Sequence, residues 1–219
     1  MSELPILSRT FKSQATTSQF AAVAWFYNLW ASLTEAKAVR RALKLAQVQD
    51  NQSILEVAVG TGELFAQIVA RNPHGRNEGM DLSPAMLARA SKCLQQMPST
   101  AYKLEQGSAY ELPYEDDSFD LLFNTYMLDL LPEQDFPKVL SEFWRVLKPT
   151  GKLVLVSFGF GSYWFNRFWY WLARFFPALL TNCRPVRMSQ VAPLVGFRNL
   201  HVEHISQNTF PSDIVVAYK

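Results

Sequence analysis

Two glycines separated by one threonine, Gly60-Thr61-Gly62, stand one residue after the apolar run Ser53-Ile-Leu-Glu-Val-Ala58 and directly before Glu63. Where a strand hands over to a helix, residues without bulky side chains let a ligand approach the backbone, and the helix N-terminus favours a polar or anionic group. The same turn also serves as a plain connector, so its neighbours decide. A dinucleotide site of the G-x-G-x-x-G type needs a third glycine where Phe65 stands, and a phosphate-cradling P-loop needs a lysine that does not follow here. Asp81 comes 19 residues after Gly62 and can accept hydrogen bonds from both hydroxyls of a ribose. Its other role would be a helix cap, but Ser83, directly before Pro84, is better placed for that. Gly107-Ser108-Ala109 offers backbone and small side chains to an adenine, or is an ordinary loop. Asn124-Thr125-Tyr126, with Asp129 close behind, completes the set.

These residues become one site only if the elements between them line up. After a polar start, Phe20 to Val48 reads as helix in two pieces, with apolar side chains at three- and four-residue intervals and no Gly or Pro. Strands are expected at 53–58, 77–81, 101–106, 118–124 and 152–157, and helices at 63–71, 84–96 and 134–147. Alternating units of this kind make a parallel sheet covered by helices on both faces. Two further strands, 200–206 and 213–218, share only a short polar connection and predict a terminal antiparallel pair. In an open sheet of this class ligands bind beyond the carboxyl ends of the strands, where all four signals fall.

The 219 residues are enough for one sizeable core, so a single domain over 1–219 is expected, with a helical cap at 1–48 and the sheet core at 49–219. Lysine plus arginine number 21 against 19 acids, a formal charge of +2, which gives no field to gather nucleic acid. Cys93 and Cys183 lack the spacing of a zinc site or a disulfide framework, which suits a reducing compartment. No basic start followed by an apolar core marks a secretory leader, and the cytoplasm is the expected location.

The order Glu56-Val-Ala-Val-Gly-Thr-Gly62, Met80-Asp81-Leu-Ser-Pro-Ala-Met86-Leu87, Leu112-Pro-Tyr-Glu-Asp-Asp-Ser-Phe-Asp120 and Arg145-Val-Leu-Lys-Pro-Thr-Gly151 resembles the class I S-adenosylmethionine (AdoMet)-dependent methyltransferases. The resemblance runs from about Tyr27 onward, and four motifs in register are far more specific than one. It implies a Rossmann-like α/β fold with a seven-stranded, mostly parallel sheet and an antiparallel last strand. It also implies that Glu56, Ala58, Gly60 and Gly62 line the methionine part of AdoMet and that Asp81 holds the ribose. Leu82 and Met86 would flank the adenine, Ser108 and Ala109 would meet its edge, and Asn124 and Thr125 would sit beside the sulfonium. Three positions depart from the family: Ala58 and Thr150 stand where glycine is usual, and Ser108 where an aspartate is. Ala58 with Glu63 resembles the quinone C-methyltransferase branch, whereas Phe26-Tyr27-Asn28 and the tail Phe210 to Tyr218 resemble the phospholipid N-methyltransferase branch.

Methyl transfer from a sulfonium is an in-line displacement that needs alignment and exclusion of water, and no metal. A neutral amine attacks as it stands, while a phenol or quinol carbon gains from a base. Asp129, Tyr126 and Tyr27 resemble the family's active-site rim and are the candidate catalytic groups, each with a packing or capping role as its alternative. His74, His201 and His204 lie in loop or terminal strand and stay outside the mechanism. Aromatic residues make up 14% of the chain, with 6 Trp and 16 Phe, and many fall in Tyr163 to Phe176. At helical spacing Trp164, Phe168, Trp171 and Phe175 share a face, and Arg167 and Arg174 interrupt the run, so this helical insertion at about 161–180 is not expected to span a membrane. It rests in a membrane interface, covers a pocket for an apolar acceptor, or packs as core. The acceptor expected is a small lipophilic molecule, a phospholipid amine or quinone-type ring. A soluble amine or hydroxyl compound, and a non-catalytic AdoMet-binding scaffold, are the alternatives.

Overall fold

The computed structural model describes residues 5–8, 32–95, 97, 101–161, 163–180 and 182–219. The first expected helical piece and Tyr27 lie outside the described residues. The second piece is α1, Ala36–Ala46, whose buried Ala38, Ala42, Leu43 and Ala46 recur at helical spacing.

From there strands and helices alternate as expected: β1 (Ser53–Val57), α2 (Glu63–Arg71), β2 (Arg76–Asp81), α3 (Pro84–Leu94), β3 (Tyr102–Gln106) and β4 (Phe119–Thr125). Next come α4 (Phe136–Val146) and β5 (Leu147–Phe158), then α5 (Arg167–Phe175) and the short α6 (Met188–Val191). The chain closes with β6 (Arg198–Gln207) and β7 (Phe210–Tyr218). The seven strands form one sheet in the order β3-β2-β1-β4-β5-β7-β6. All are parallel except β7, which runs antiparallel to both β5 and β6. The fold is therefore the Rossmann-like α/β sheet that the motifs implied. Asn208 and Thr209, with φ of 47° and 68°, turn the β6–β7 hairpin, and two consecutive left-handed residues match the twist of a two-residue hairpin.

Side-chain alternation sorts the core onto the two sheet faces. Leu55 and Val57 of β1 join α4, whose Phe136, Val139, Leu140, Phe143 and Val146 form an apolar stripe. Ile54, one residue out of phase, faces the other way, toward α1, Ile68 of α2 and Tyr170 and Ala173 of α5. Each strand in the middle of the sheet is covered on both faces, which explains why β1, β4 and the second half of β5 read as largely apolar runs.

Element ends differ from expectation where hydrogen bonds, not hydropathy, decide. A 3-10 turn at Glu133–Asp135 precedes α4, and β5 starts at Leu147, because Leu147 pairs with Phe119 before the bulge that brings Lys152 opposite Leu121. Arg145 fixes the 112–116 loop: it donates to the carbonyls of Leu112 and Tyr114 and to the carboxylates of Glu142 and Asp116. The third and fourth sequence motifs, around Leu112 and Arg145, are thus one latch.

Candidate active site

The chain leaves β1 to build β2 and β3 on one side and returns to build β4 on the other, so the carboxyl ends of β1 and β4 diverge at the switch point of the sheet. A cleft of about 910 Å³, open mouth included, lies there.

The loop after β1 forms the floor. Ala58, Gly60 and Gly62 all have left-handed backbone, with φ of 64°, 54° and 83°. A Cβ on Gly60 would meet nothing within 4 Å, so this glycine leaves open space on the ligand side. A Cβ on Gly62 would stand 2.8 Å from Ala90 Cα, so that glycine serves the close approach of α3 rather than a ligand. Its role is the packing one that the third glycine fills in a dinucleotide site. Ala58 shows why glycine is usual there: the backbone needs a conformation that costs an L-residue energy.

Asp81, at the end of β2, is nearly buried and ties this floor in place. Its Oδ2 accepts the Gly60 N–H at 2.9 Å and its Oδ1 the Ser83 N–H at 2.8 Å. Burial pushes its carboxyl up from the ordinary aspartate range, and backbone N–H groups of Ser83, Gly60 and Leu82 pull it back. Ser83 does cap α3, accepting the Met86 N–H at 3.4 Å, but Asp81 is not the unengaged carboxylate that the cap argument suggested. Both oxygens accept backbone N–H groups, and a carboxylate has lone pairs left to accept from a ligand hydroxyl as well.

Of the residues expected at the cofactor, Ala58, Gly60, Asp81, Leu82, Met86, Ser108, Ala109 and Thr125 line the cleft together. Glu56, Gly62 and Asn124 do not. Asn124 is buried and donates to the Val57 carbonyl at 2.9 Å, locking β4 to β1. Glu56 is fully buried, and its Oε2 has no hydrogen-bond partner among the described residues. Burial above all, and the nearby Asp81 charge, hold its carboxyl well above the usual range. An orphaned buried acid below the glycine loop is a group waiting for a donor, since an unpaired buried polar atom is costly.

These residues fit AdoMet: lone pairs on Asp81 for a ribose, apolar Leu82, Met86 and Ala109 for a purine, open space over Gly60, and the unpaired Glu56 beneath. When bound, AdoMet supplies an electrophilic methyl group on a sulfonium. The chain's own part is to hold that group and shape the space beside it. The same cleft is also lined by Tyr126, Met127, Leu130 and Leu131, of which only Tyr126 was singled out from the sequence. Met127, Leu130 and Leu131 carried no signal beyond apolar character, which core residues share.

Of the candidate catalytic groups, Tyr126 and Asp129 are engaged in buried hydrogen bonds. Tyr126 has φ of 51°, and its hydroxyl lies 2.7 Å from Ser212 Oγ, buried. Burial, with the charge of Glu35 adding, holds its phenol well above the ordinary tyrosine value, the wrong direction for a base. Asp129 is fully buried and does not line the cleft. Its Oδ2 accepts the Phe158 N–H at 2.7 Å, and desolvation is the main cause of a carboxyl pushed well above the usual range. The histidines hold acidic neighbours at the surface: His74 with Asp50, His201 with Glu203 and His204 with Asp213.

The aromatic insertion forms a 3-10 turn at Trp164–Asn166, α5, and a second turn at Pro177–Leu180. Its inner face, Tyr170 and Ala173, is buried, whereas Trp164, Phe168, Trp171 and Phe175 are 81%, 61%, 43% and 65% exposed. The core reading therefore holds for one face only. Among the described residues no helix is long and apolar enough to cross a membrane.

The chain is similar to known proteins in sequence and in fold. Residues 54–151 match the family described as a methyltransferase domain. A demethylmenaquinone methyltransferase of Deinococcus radiodurans is 34% identical over 160 residues, covering 70% of this chain and 64% of that protein. One from Halalkalibacterium halodurans is 38% identical over 128 residues, 58% of this chain and 51% of that protein. The chain thus spans about half to two thirds of the length of these relatives. In fold, phosphoethanolamine N-methyltransferase 2 of Haemonchus contortus, solved with S-adenosyl-L-methionine, superposes with a TM-score of 0.65 at 19% identity, covering 84% of this chain and 52% of that one. The [4+2]-cyclase SpnF superposes at 0.73 with 17% identity, covering 97% and 98%, so the shape alone does not fix the reaction. Residues 54–151 thus match the methyltransferase-domain family, and the chain is similar to the demethylmenaquinone methyltransferases in sequence and to AdoMet-binding methyltransferases such as the phosphoethanolamine enzyme in fold.

Proposed function

We propose that the protein transfers the methyl group of AdoMet to a small lipophilic acceptor, first of all a quinone-type ring. The observation that carries this reading is the mixed lining of the cleft, which joins polar Asp81, Ser83 and Ser108 to apolar Met127, Leu130 and Leu131. The polar groups suit the nucleoside, and the apolar ones suit a ring or chain. The sequence relatives named above act on demethylmenaquinone, which favours the ring; the phosphoethanolamine enzyme of similar fold favours an amine as second reading.

In this reading Ala58, Gly60, Asp81, Leu82, Met86, Ser108, Ala109 and Thr125 contact AdoMet directly. Glu56 and Gly62 support the loop from below and behind, and Asn124 fixes the strand that presents Thr125. Tyr126 and Asp129 act by holding the acceptor wall, and Tyr27 remains the rim candidate for a base. The whole chain works as one domain, at the cytoplasmic side of a membrane, with the exposed face of α5 toward lipid. Methyl transfer from labelled AdoMet, assayed with a demethylated menaquinol, a phosphoethanolamine lipid and a total lipid extract, tests the reading. Label in the quinol is expected; tight AdoMet binding with no labelled product from any of them would refute catalysis and leave a scaffold.

A further inference from the structure

We propose that the outer face of α5 and its flanking turns is a docking surface for an anionic lipid bilayer. The proposal builds on the reading that the acceptor is a lipid, but its observations are independent of the reaction.

The first observation is the patch itself. The four aromatic residues of the outer face, with Tyr163, Phe176 and Leu179 beside them, are exposed within one short stretch. Contiguous apolar surface of this kind marks an interaction site, and Trp and Tyr suit the headgroup level of a bilayer. The second is that the helix cannot turn the patch inward. Asn166 Nδ2 donates to the Thr209 carbonyl at 2.7 Å, and Trp169 Nε1 donates to Thr209 Oγ1 at 3.1 Å. The β6–β7 hairpin therefore holds α5 with its inner face down and its outer face out.

The third observation is charge, and it selects the occupant. No Asp or Glu stands between Glu142 and Glu203, a stretch that carries eight Lys and Arg. Two of these, Arg167 and Arg174, lie on α5, and neither is in an ion pair among the described residues. The Arg174 guanidinium lies 5.8 Å from the centre of the Trp171 ring and 5.9 Å from that of Phe175. Cationic groups set among exposed aromatic rings, with no acid nearby in sequence, match phosphate-bearing lipid headgroups over an apolar layer. A second copy of the chain would bring the same positive charge against this patch, which disfavours it.

The fourth observation links the surface to the cleft. The Trp169 ring packs edge-on to Phe210 at 5.2 Å, and Phe210 lies 6.5 Å from Tyr126, which lines the cleft. One layer of aromatic side chains separates the docking helix from the cleft wall. A lipid acceptor drawn from the bilayer would have a short way to travel.

Co-sedimentation of the full chain, without AdoMet, on vesicles of phosphatidylcholine alone and of phosphatidylcholine with phosphatidylglycerol in equal parts tests this. Binding is expected on the mixed vesicles, weakened by salt, and little on the neutral ones. Arg167→Gln and Arg174→Gln are expected to lower the mixed-vesicle partition about fivefold each. Trp164→Ser with Phe168→Ser is expected to lower it at least about tenfold. All four sites are at least partly exposed, so AdoMet affinity measured by calorimetry serves as the folding control and should not change. No binding to either vesicle overturns the proposal, as does wild-type binding that is equal on both vesicle types and unchanged in the arginine variants. A dimer in light scattering that Trp164→Ser with Phe168→Ser dissociates would make a second copy the occupant and overturns it too. Because vesicle binding is read without methyl transfer, a failed acceptor assay leaves this result standing, and the reverse.

Discussion

Tyr126 Oη lies 2.7 Å from Ser212 Oγ, so a wall of the cleft is hydrogen-bonded to β7. This bond, with the raised phenol, assigns Tyr126 to structure. Tyr126→Phe should keep kcat within a few-fold of wild type and lower stability by about 1 to 3 kcal/mol, since Ser212 is left buried without its partner. A thousandfold loss of kcat at unchanged AdoMet affinity would return Tyr126 to the chemistry.

The two glycines of the loop are expected to separate binding from folding. Gly60→Ala meets no atom, so it should fold with a cost of about 1 to 2 kcal/mol for its left-handed backbone, yet lose AdoMet affinity because the methyl enters the open space. Gly62→Ala drives a methyl into the backbone of α3 and should destabilise by on the order of 3 kcal/mol. Urea denaturation beside calorimetry of AdoMet binding reads both.

Asp81→Ala removes the acceptor of two backbone N–H groups and the proposed ribose partner together. AdoMet affinity should fall at least about tenfold, the equivalent of one hydrogen bond to a charged acceptor. Unchanged affinity would place the nucleoside elsewhere.

Asp129 gives a pH signature. Its folded carboxyl is raised above the ordinary value of 3.8, so the unfolded chain gives up this proton first as pH rises. The stability tied to the protonated form is complete below about 4 and is lost as pH climbs toward the folded pKa. Asp129→Asn cannot ionise, so its urea midpoint should gain on that of wild type steadily from about pH 4 upward. A gap independent of pH would show that the carboxyl is not perturbed.

Thr150, at φ 69° and exposed, is a β-branched residue in a conformation that suits glycine. Thr150→Gly should raise stability by about 0.5 to 1 kcal/mol, the strain removed exceeding the chain entropy added, and Tm by about 2 °C. A lower Tm would mean that Thr150 makes a compensating contact.

The sheet was legible because its strands are buried on both faces, and the helices because their apolar residues recur at helical spacing. The cofactor end was legible for a related reason: Gly60, Asp81 and Ala109 sit where strands end, at places fixed by topology. The neighbours of Gly62 and Asn124 were not legible, because the sequence gives their position but not the Ala90 backbone or the Val57 carbonyl against which they sit. The engagement of Asp81 with Gly60 and Ser83 could not be read for the same reason. The acceptor wall, Met127, Leu130 and Leu131, left no mark, since an apolar residue at a cavity and one in a core are chemically alike. The insertion's outer face was read correctly as a distinct stripe, because two arginines and a helical period set it apart; its exposure needed the three-dimensional packing of Tyr170 and Ala173.

β7 has a consequence for how the molecule comes into being. It lies between β5 and β6, so until Phe210–Tyr218 leaves the ribosome the apolar margin of β5 has no neighbour on that side. During translation the nascent chain exposes an open, sticky strand edge next to an aromatic helix, the combination that chaperones intercept and that aggregates when they are scarce.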